Sequence, residues 1–359
     1  MQAPVGIRSS LLAVLITGFA LGCAATTPSP PPPQDVLVVL NAGGPSLSLI
    51  PVPGGGPAET VPLGNIGGIP RALTAHGSQV LVTTGAGSTV ARLDLSEGLS
   101  AVVYQLPSGA GAGGAGFVND TLAYVTNPGS GRVTRFNFRT GDTVSVAVGQ
   151  TPVAVALARG RLFVVNGNLD PGCPFAEPCI LGPSWLTVVD PIAATVLDSI
   201  PLVGPGNALA IEVGGDGLLY VLSAGMRDGV GSLGRVSIVD PVLRAEVGSF
   251  AGFGELPNNL ASDRRERLFI TSEDEGLMEF NTRTRRVVRG AGTGIPLQAA
   301  SAAAVDGTGL IYAVESGSCS GVAPGRVRIF RPDLTELRVV GTGLCSTAAI
   351  LVKLLPPPE

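Results

Sequence analysis

Tyr124-Val125-Thr126-Asn127 decides how this chain is read, because variants of the phrase return along its whole length. Phe163-Val164-Val165-Asn166, Tyr220-Val221-Leu222-Ser223, Phe269-Ile270-Thr271-Ser272 and Tyr312-Ala313-Val314-Glu315 are clear copies. Val38-Val39-Leu40-Asn41 and Leu81-Val82-Thr83-Thr84 are weaker ones and bring the total to seven. Successive copies begin 43, 43, 39, 57, 49 and 43 residues apart. A period of about 40–45 residues, with short strands and glycine-rich turns, marks a propeller whose blades are four-stranded sheets. The third unit shows the strands: 122–126, 132–138, 143–148 and 152–157, with Arg139-Thr140-Gly141-Asp142 as one turn and Ala158-Arg159-Gly160 closing the last. Alternating apolar residues within these segments, and Gly or Asp between them, fit antiparallel meanders.

Over residues 36–353 the unit resembles the YVTN β-propeller repeat of bacterial surface and periplasmic proteins; unit three matches best, and units one, two and seven diverge. The resemblance implies that the strand after the proline lines a central channel and that the Tyr-Val-Thr-Asn strand comes second. The chain then begins in a second-type strand, 36–41, and ends in an inner-type strand, 347–352. The last strand is expected to complete the first blade, which removes the open edges of a linear array. The expected fold is all-β: a seven-bladed propeller of four-stranded antiparallel blades spanning 36–354, followed by a tail, 355–359. Fifty-one glycines suit many tight turns. Strands buried on both faces account for a mean hydropathy of +0.41. No stretch sustains a helical period, so helix is expected to be nearly absent.

The first 22 residues read as an export signal. Arg8 supplies a positive start, and 11–22 is apolar but too short for a stable spanning helix. Ala20-Leu21-Gly22-Cys23 resembles a lipobox, with Ala20 where Leu is usual, so Cys23 is expected to carry the lipid. Residues 23–35 then form a proline-rich tether, extended at about 3.1 Å per residue, that holds a domain roughly 30 Å off a surface. Ala24 in place of Asp points, by resemblance to known sorting behaviour, to the outer membrane. The expected location is the bacterial cell envelope, at the periplasmic or outer surface, with the membrane met only through the anchor.

A net charge of −4 and a pI near 5.2 exclude the basic surface of a nucleic-acid binder. His76 is the only histidine and falls in a turn opposite the long loops, so His-based nucleophilic catalysis lacks its usual base. Trp185 is the only tryptophan, unlike the pattern of quinoprotein propellers, and no Cys-x-x-Cys-His haem site occurs. The Gly109–116 run lacks the following helix that a phosphate-binding loop needs, and reads as a flexible interblade loop.

Four cysteines remain after Cys23, an even number that favours disulfides in an exported chain. Cys173 and Cys179 are close neighbours. With the implied strand order, the loops 167–184, 224–234 and 316–325 open on one face, and Cys319 and Cys345 fall together there. The expected bridges are Cys173–Cys179 and Cys319–Cys345. Zinc is disfavoured by the spacing.

That face is the expected binding face. Arg71, Asn207, Asn258, Asn259 and Gln298 begin inner strands at the channel mouth, and Glu315 ends a second strand there. They are the candidate ligand contacts. Glu273-Asp274-Glu275, Asp170, Asn166, Asn168 and Glu315 supply oxygens that suit Ca²⁺ or another divalent metal, although solvated turns are the favoured explanation. Asn41, Asn127 and Asn166 read as strand terminators. The expected function is a monomeric binding module for a protein, glycan or small molecule. A metal-assisted, lactonase-like hydrolase and a purely structural surface protein are the alternatives; no catalytic residue is identified.

Overall fold

The computed structural model describes residues 34–54, 56–170, 172–173, 178–226 and 234–354, all within one of the chain's two compact units, 32–359. The signal segment 1–22, Cys23, most of the tether and the tail 355–359 lie outside the described residues.

Twenty-eight strands make seven four-stranded antiparallel sheets. The one helical turn among the described residues is Pro128–Ser130. Blade 1 is built from both ends of the chain: Ser346–Leu354 is its inner strand and pairs antiparallel with Gln34–Asn41. Gln34 lies opposite Leu354 and Asp35 opposite Lys353, so the first strand starts two residues earlier than the expected tether boundary. Inner strands Ala72–His76, Ala115–Asn119, Pro152–Ala158, Ala208–Val213, Pro257–Ser262 and Ala300–Val305 complete the channel wall, each touching the next around the ring.

Two details depart from the sequence reading. The strand expected as 152–157 in the third unit pairs with blade 4, so the sequence repeat and the blade are offset by one strand. The glycine run 109–116 is not simply a loop: its end is the inner strand of blade 3. The glycines there permit close packing. A Cβ on Gly114 would lie 2.5 Å from the Val153 carbonyl oxygen, and one on Gly116 2.8 Å from Val155 Cγ2.

The core is divided into seven apolar clusters, one between each pair of adjacent blades. Blade 1 shows how period-2 alternation feeds two clusters. Val36, Val38 and Leu40 pack toward blade 2, while Leu37 and Val39 pack toward blade 7. Fully burying each such side chain contributes about 1.5–3 kcal/mol. The aromatic that opens the repeated phrase is buried with its hydroxyl satisfied: Tyr124 donates to the Pro191 carbonyl at 3.0 Å, Tyr220 to Asp216 at 2.7 Å, and Tyr312 to Asp306 at 2.9 Å.

Both expected disulfides are formed. Cys319–Cys345 ties the long loop of blade 7 to the residue preceding the closing strand, so it latches the ring. Closing this 26-residue separation removes about 3–4 kcal/mol of chain entropy from the unfolded state. Cys319→Ser with Cys345→Ser should therefore keep the fold but lower the urea midpoint by a corresponding amount. An unchanged midpoint would show that the latch adds nothing.

Candidate functional site

Each blade has a face where second strands end and third strands begin, here called the loop face, and an opposite turn face. The last residue of the repeated phrase reaches the loop face in every blade. Asn41, Thr84, Asn127, Asn166, Ser223, Ser272 and Glu315 are all 3% exposed or less. This ring is a set of internal clamps. Asn41 Nδ2 donates to Ser46 Oγ and Ser48 Oγ, at 3.2 and 2.9 Å. Its Oδ1 accepts from the Gly343 N–H at 3.1 Å and Ser346 Oγ at 2.8 Å. Asn127 Oδ1 accepts from Thr134 Oγ1 at 2.7 Å, and Asn166 Nδ2 donates to Thr187 Oγ1 at 3.0 Å. The asparagines therefore end strands, as expected, but they bond the neighbouring strand and the incoming loop rather than only their own turn. In blade 5 the pair is Ser223 and Ser237, and Ser237 Oγ is buried without a partner because serine is too short to reach it.

The candidate ligand contacts are drawn into the same framework. Glu315 is a clamp carboxylate: Oε1 accepts from the Gln298 N–H at 2.8 Å, and Oε2 is bonded by Arg326 Nε, with Arg328 at 3.7 Å from Oε1. Gln298 is exposed, and its Oε1 accepts from Arg326 at 3.3 Å. Asn258 donates to the Ala300 carbonyl at 2.7 Å and accepts from Thr271 at 2.6 Å. Asn259 accepts from the Ala303 N–H at 3.1 Å. These two side chains staple the inner strands of blades 6 and 7. Asn207, at φ +57°, donates to the Gly225 carbonyl at 2.6 Å and holds the blade 5 loop. Arg71 is accessible at the mouth, yet desolvation by the surrounding protein lowers its pKa. Asn207 and Arg71 sit one residue before their strands, and Gln298 two. The structure thus brings Gln298 and Glu315 together, and Asn258 and Asn259 together, but as parts of the frame.

Of the acidic loop residues, Glu275 accepts from the Gly292 N–H at 2.6 Å, and Asp170 from the Gly172 N–H at 2.9 Å. Among the described residues no three His, Cys, Asp or Glu side chains converge as metal ligands. His76 pairs with Asp120 at 3.0 Å on the turn face.

Sequence reasoning missed two features. Glu212 is the only carboxylate on an inner strand, in a segment that is otherwise apolar; that contrast was its available signal. Burial pushes its pKa up to about 7, opposed by the Arg264 guanidinium. The second feature is a cleft of about 540 Å³ on the turn face between blades 5, 6 and 7, lined in part by Asp216, Arg265, Glu266, Arg267 and Arg283. Arg267 is fixed there by two hydrogen bonds to Glu279, at 2.7 and 3.1 Å, and one to the Pro332 carbonyl at 2.7 Å. A smaller cleft of about 330 Å³ between blades 7 and 1 is lined by Asp35, Asp306 and Lys353, among others. No sequence pattern marks either, since each is made by turns of different blades.

Asn41→Ala leaves Ser48 without its donor and removes two acceptor bonds, so it should cost about 2–4 kcal/mol in urea unfolding. Ser223→Asn, which supplies Ser237 with a partner, should gain about 1 kcal/mol in the same assay. Burial holds the folded-state pKa of Glu212 at about 7, above that of an ordinary carboxylate. Below that ordinary value it is protonated in both states and has no effect. As pH rises toward 7 the unfolded chain ionises first, and stability falls by about 1–3 kcal/mol. Glu212→Gln should remove that component of the slope between pH 5 and 8 in thermal melts.

No protein-family model and no curated sequence matches the chain. Its structural similarity is to other propellers. A functionally unknown protein from Desulfotomaculum acetoxidans superposes with a TM-score of 0.64 at 13% identity, covering 90% of this chain and 99% of that one. Kuenenia stuttgartiensis hydrazine synthase gives 0.59 at 14% identity, over 79% and 89%. A streptogramin B lyase gives 0.58 at 12% identity, over 88% and 91%. At these identities the likeness establishes the β-propeller fold and leaves the activity open.

Proposed function

We propose that this protein is an exported, lipid-anchored propeller of the YVTN-repeat kind that binds a macromolecular partner through its loop face. The carrying observation is that both disulfides staple this face while its loops expose apolar side chains. Ile69 is 72% exposed, Leu181 58%, Val203 64%, Met226 40% and Val322 93%. Large apolar side chains exposed on several loops of one cross-linked face fit an interaction surface. The clamps hold the loop bases in place, so little ordering entropy is lost on binding. Disulfides also fit an oxidising compartment outside the cytosol. No helix among the described residues is long and apolar enough to cross a membrane.

Leu181→Asp with Val322→Asp should weaken capture of an envelope partner at least tenfold, while substitutions on the turn face leave it intact. Retained capture by the loop-face variant, or its loss through the turn face alone, would sink the assignment of the face. Labelling with radioactive palmitate should require Cys23, and a Cys23→Ser protein that still labels would refute the anchor.

A further inference from the structure

The turn face is divided by charge. In blades 4, 5 and 6 the connections 159–160, 191–194, 214–218, 241–244, 263–266 and 282–285 carry six arginines against three carboxylates. The corresponding connections of the other four blades carry two arginines against five carboxylates. The six are Arg159, Arg244, Arg264, Arg265, Arg283 and Arg285, and all are exposed. Only part of this charge is neutralised at short range: Arg283 pairs with Glu266 at 2.7 Å and Arg244 with Asp198 at 3.3 Å.

Exposed aliphatics fall in the same sector. Ile192 is 63% exposed, and Val242 and Leu243 are each 69% exposed. Their turns are twins. Asp190 Oδ1 accepts from the N–H groups of Ile192 and Ala193 at 3.0 and 2.9 Å, and Asp240 Oδ1 from those of Val242 and Leu243 at 2.8 and 3.0 Å. Each aspartate fixes its turn with the aliphatic tip pointing away from the core. No other connection on the turn face exposes a large aliphatic side chain among the described residues.

The chain also enters the propeller on this face, because Gln34 pairs with Leu354 at the turn-face end of blade 1. Blade 1 lies across the ring from blades 4 and 5. Ten residues separate Cys23 from Gln34 in the sequence, and the strand that Gln34 opens starts on the turn face across the ring from the basic, apolar-tipped sector.

From these three coincidences we infer that blades 4–6 seat the turn face on an anionic lipid bilayer. The arginines meet phosphate headgroups, the tips of Ile192, Val242 and Leu243 enter the headgroup–acyl boundary, and the acidic sector is held away. The propeller then stands tilted with its loop face outward. Each basic residue near an anionic surface adds an attraction that salt screens. Aliphatic tips add an attraction that a soluble polyanion does not supply.

Co-sedimentation of the full mature chain carrying Cys23→Ser tests this without any acyl chain. Binding is expected to vesicles of phosphatidylethanolamine with 30% phosphatidylglycerol, and not to phosphatidylcholine alone. It should fall at least tenfold in Arg264→Glu/Arg283→Glu/Arg285→Glu, at least threefold in Ile192→Ser/Val242→Ser/Leu243→Ser, and be unchanged in Leu181→Asp/Val322→Asp. Circular-dichroism melts check that each variant is folded. Absence of vesicle binding, or binding that survives the arginine reversals, overturns the inference. So does equal retention of wild type and the aliphatic variant on dextran sulfate without vesicle binding. Failure here with intact palmitate labelling would reject the docking surface and leave the anchor reading standing.

Discussion

The pairing of Ser346–Leu354 with Gln34–Asn41 is the interaction on which the rest of the molecule depends. Without it, blade 1 would lack its inner strand and the channel wall would be open. Two of the seven interblade clusters also draw on that strand: Val352 and Ile350 pack toward blade 2, while Ala349 and Leu351 pack toward blade 7. A contact between residues more than 300 positions apart costs loop entropy at the outset. It is returned only when both flanking interfaces form, which couples the whole ring into one cooperative unit. The Cys319–Cys345 bridge acts at that point, tying the blade 7 loop to the residue that precedes the closing strand.

The repeated phrase has a physical reading at each of its four places. The aromatic enters an interblade cluster and satisfies its hydroxyl on a backbone carbonyl or an aspartate. The next residue packs toward the other neighbour, as Val125 does beside Ala112 and Phe136. The third returns to the first side, and the fourth is the buried clamp. Variation at the fourth place is tolerated because the partner changes with it. Asn41 meets Ser48, Asn127 meets Thr134, and Glu315 meets Arg328 and Arg326. Blade 5 kept the hydroxyl of Ser237 but has Ser223 opposite, and there the bond is lost.

This explains why fold and site differ in how far they could be read from sequence. The fold rests on period-2 burial and on a phrase whose spacing counts blades, both local in sequence. The disulfides followed once strand order placed Cys319 beside Cys345. The polar residues at the mouth did not reveal their work, because the partner of Asn258 is a backbone carbonyl 42 residues away and that of Asn41 lies across the ring seam. A side chain facing the channel and one stapling two inner strands have the same sequence signature. Only register separates them. The glycines of 113–116 misled for a related reason: they read as flexible, yet Gly116 lies on an inner strand and Gly114 just before it, both packed too closely for a Cβ.

The two faces are under opposite constraints. On the loop face the buried polar residues that end the second strands hold neighbouring strands and loop bases, so the proposed recognition would rest on side chains beyond them, such as Val322 and Leu181. On the turn face connections are short and capped by aspartates, as at Asp190, Asp240 and Asp306, and they cannot adapt to a partner's shape. Short capped turns suit a surface that is flat and laterally fluid, where charge and a few fixed apolar tips suffice. Unequal loops suit a partner with a shape of its own. The same clamps serve both, because a blade that is rigid from one face to the other lets each end be specialised without disturbing the other.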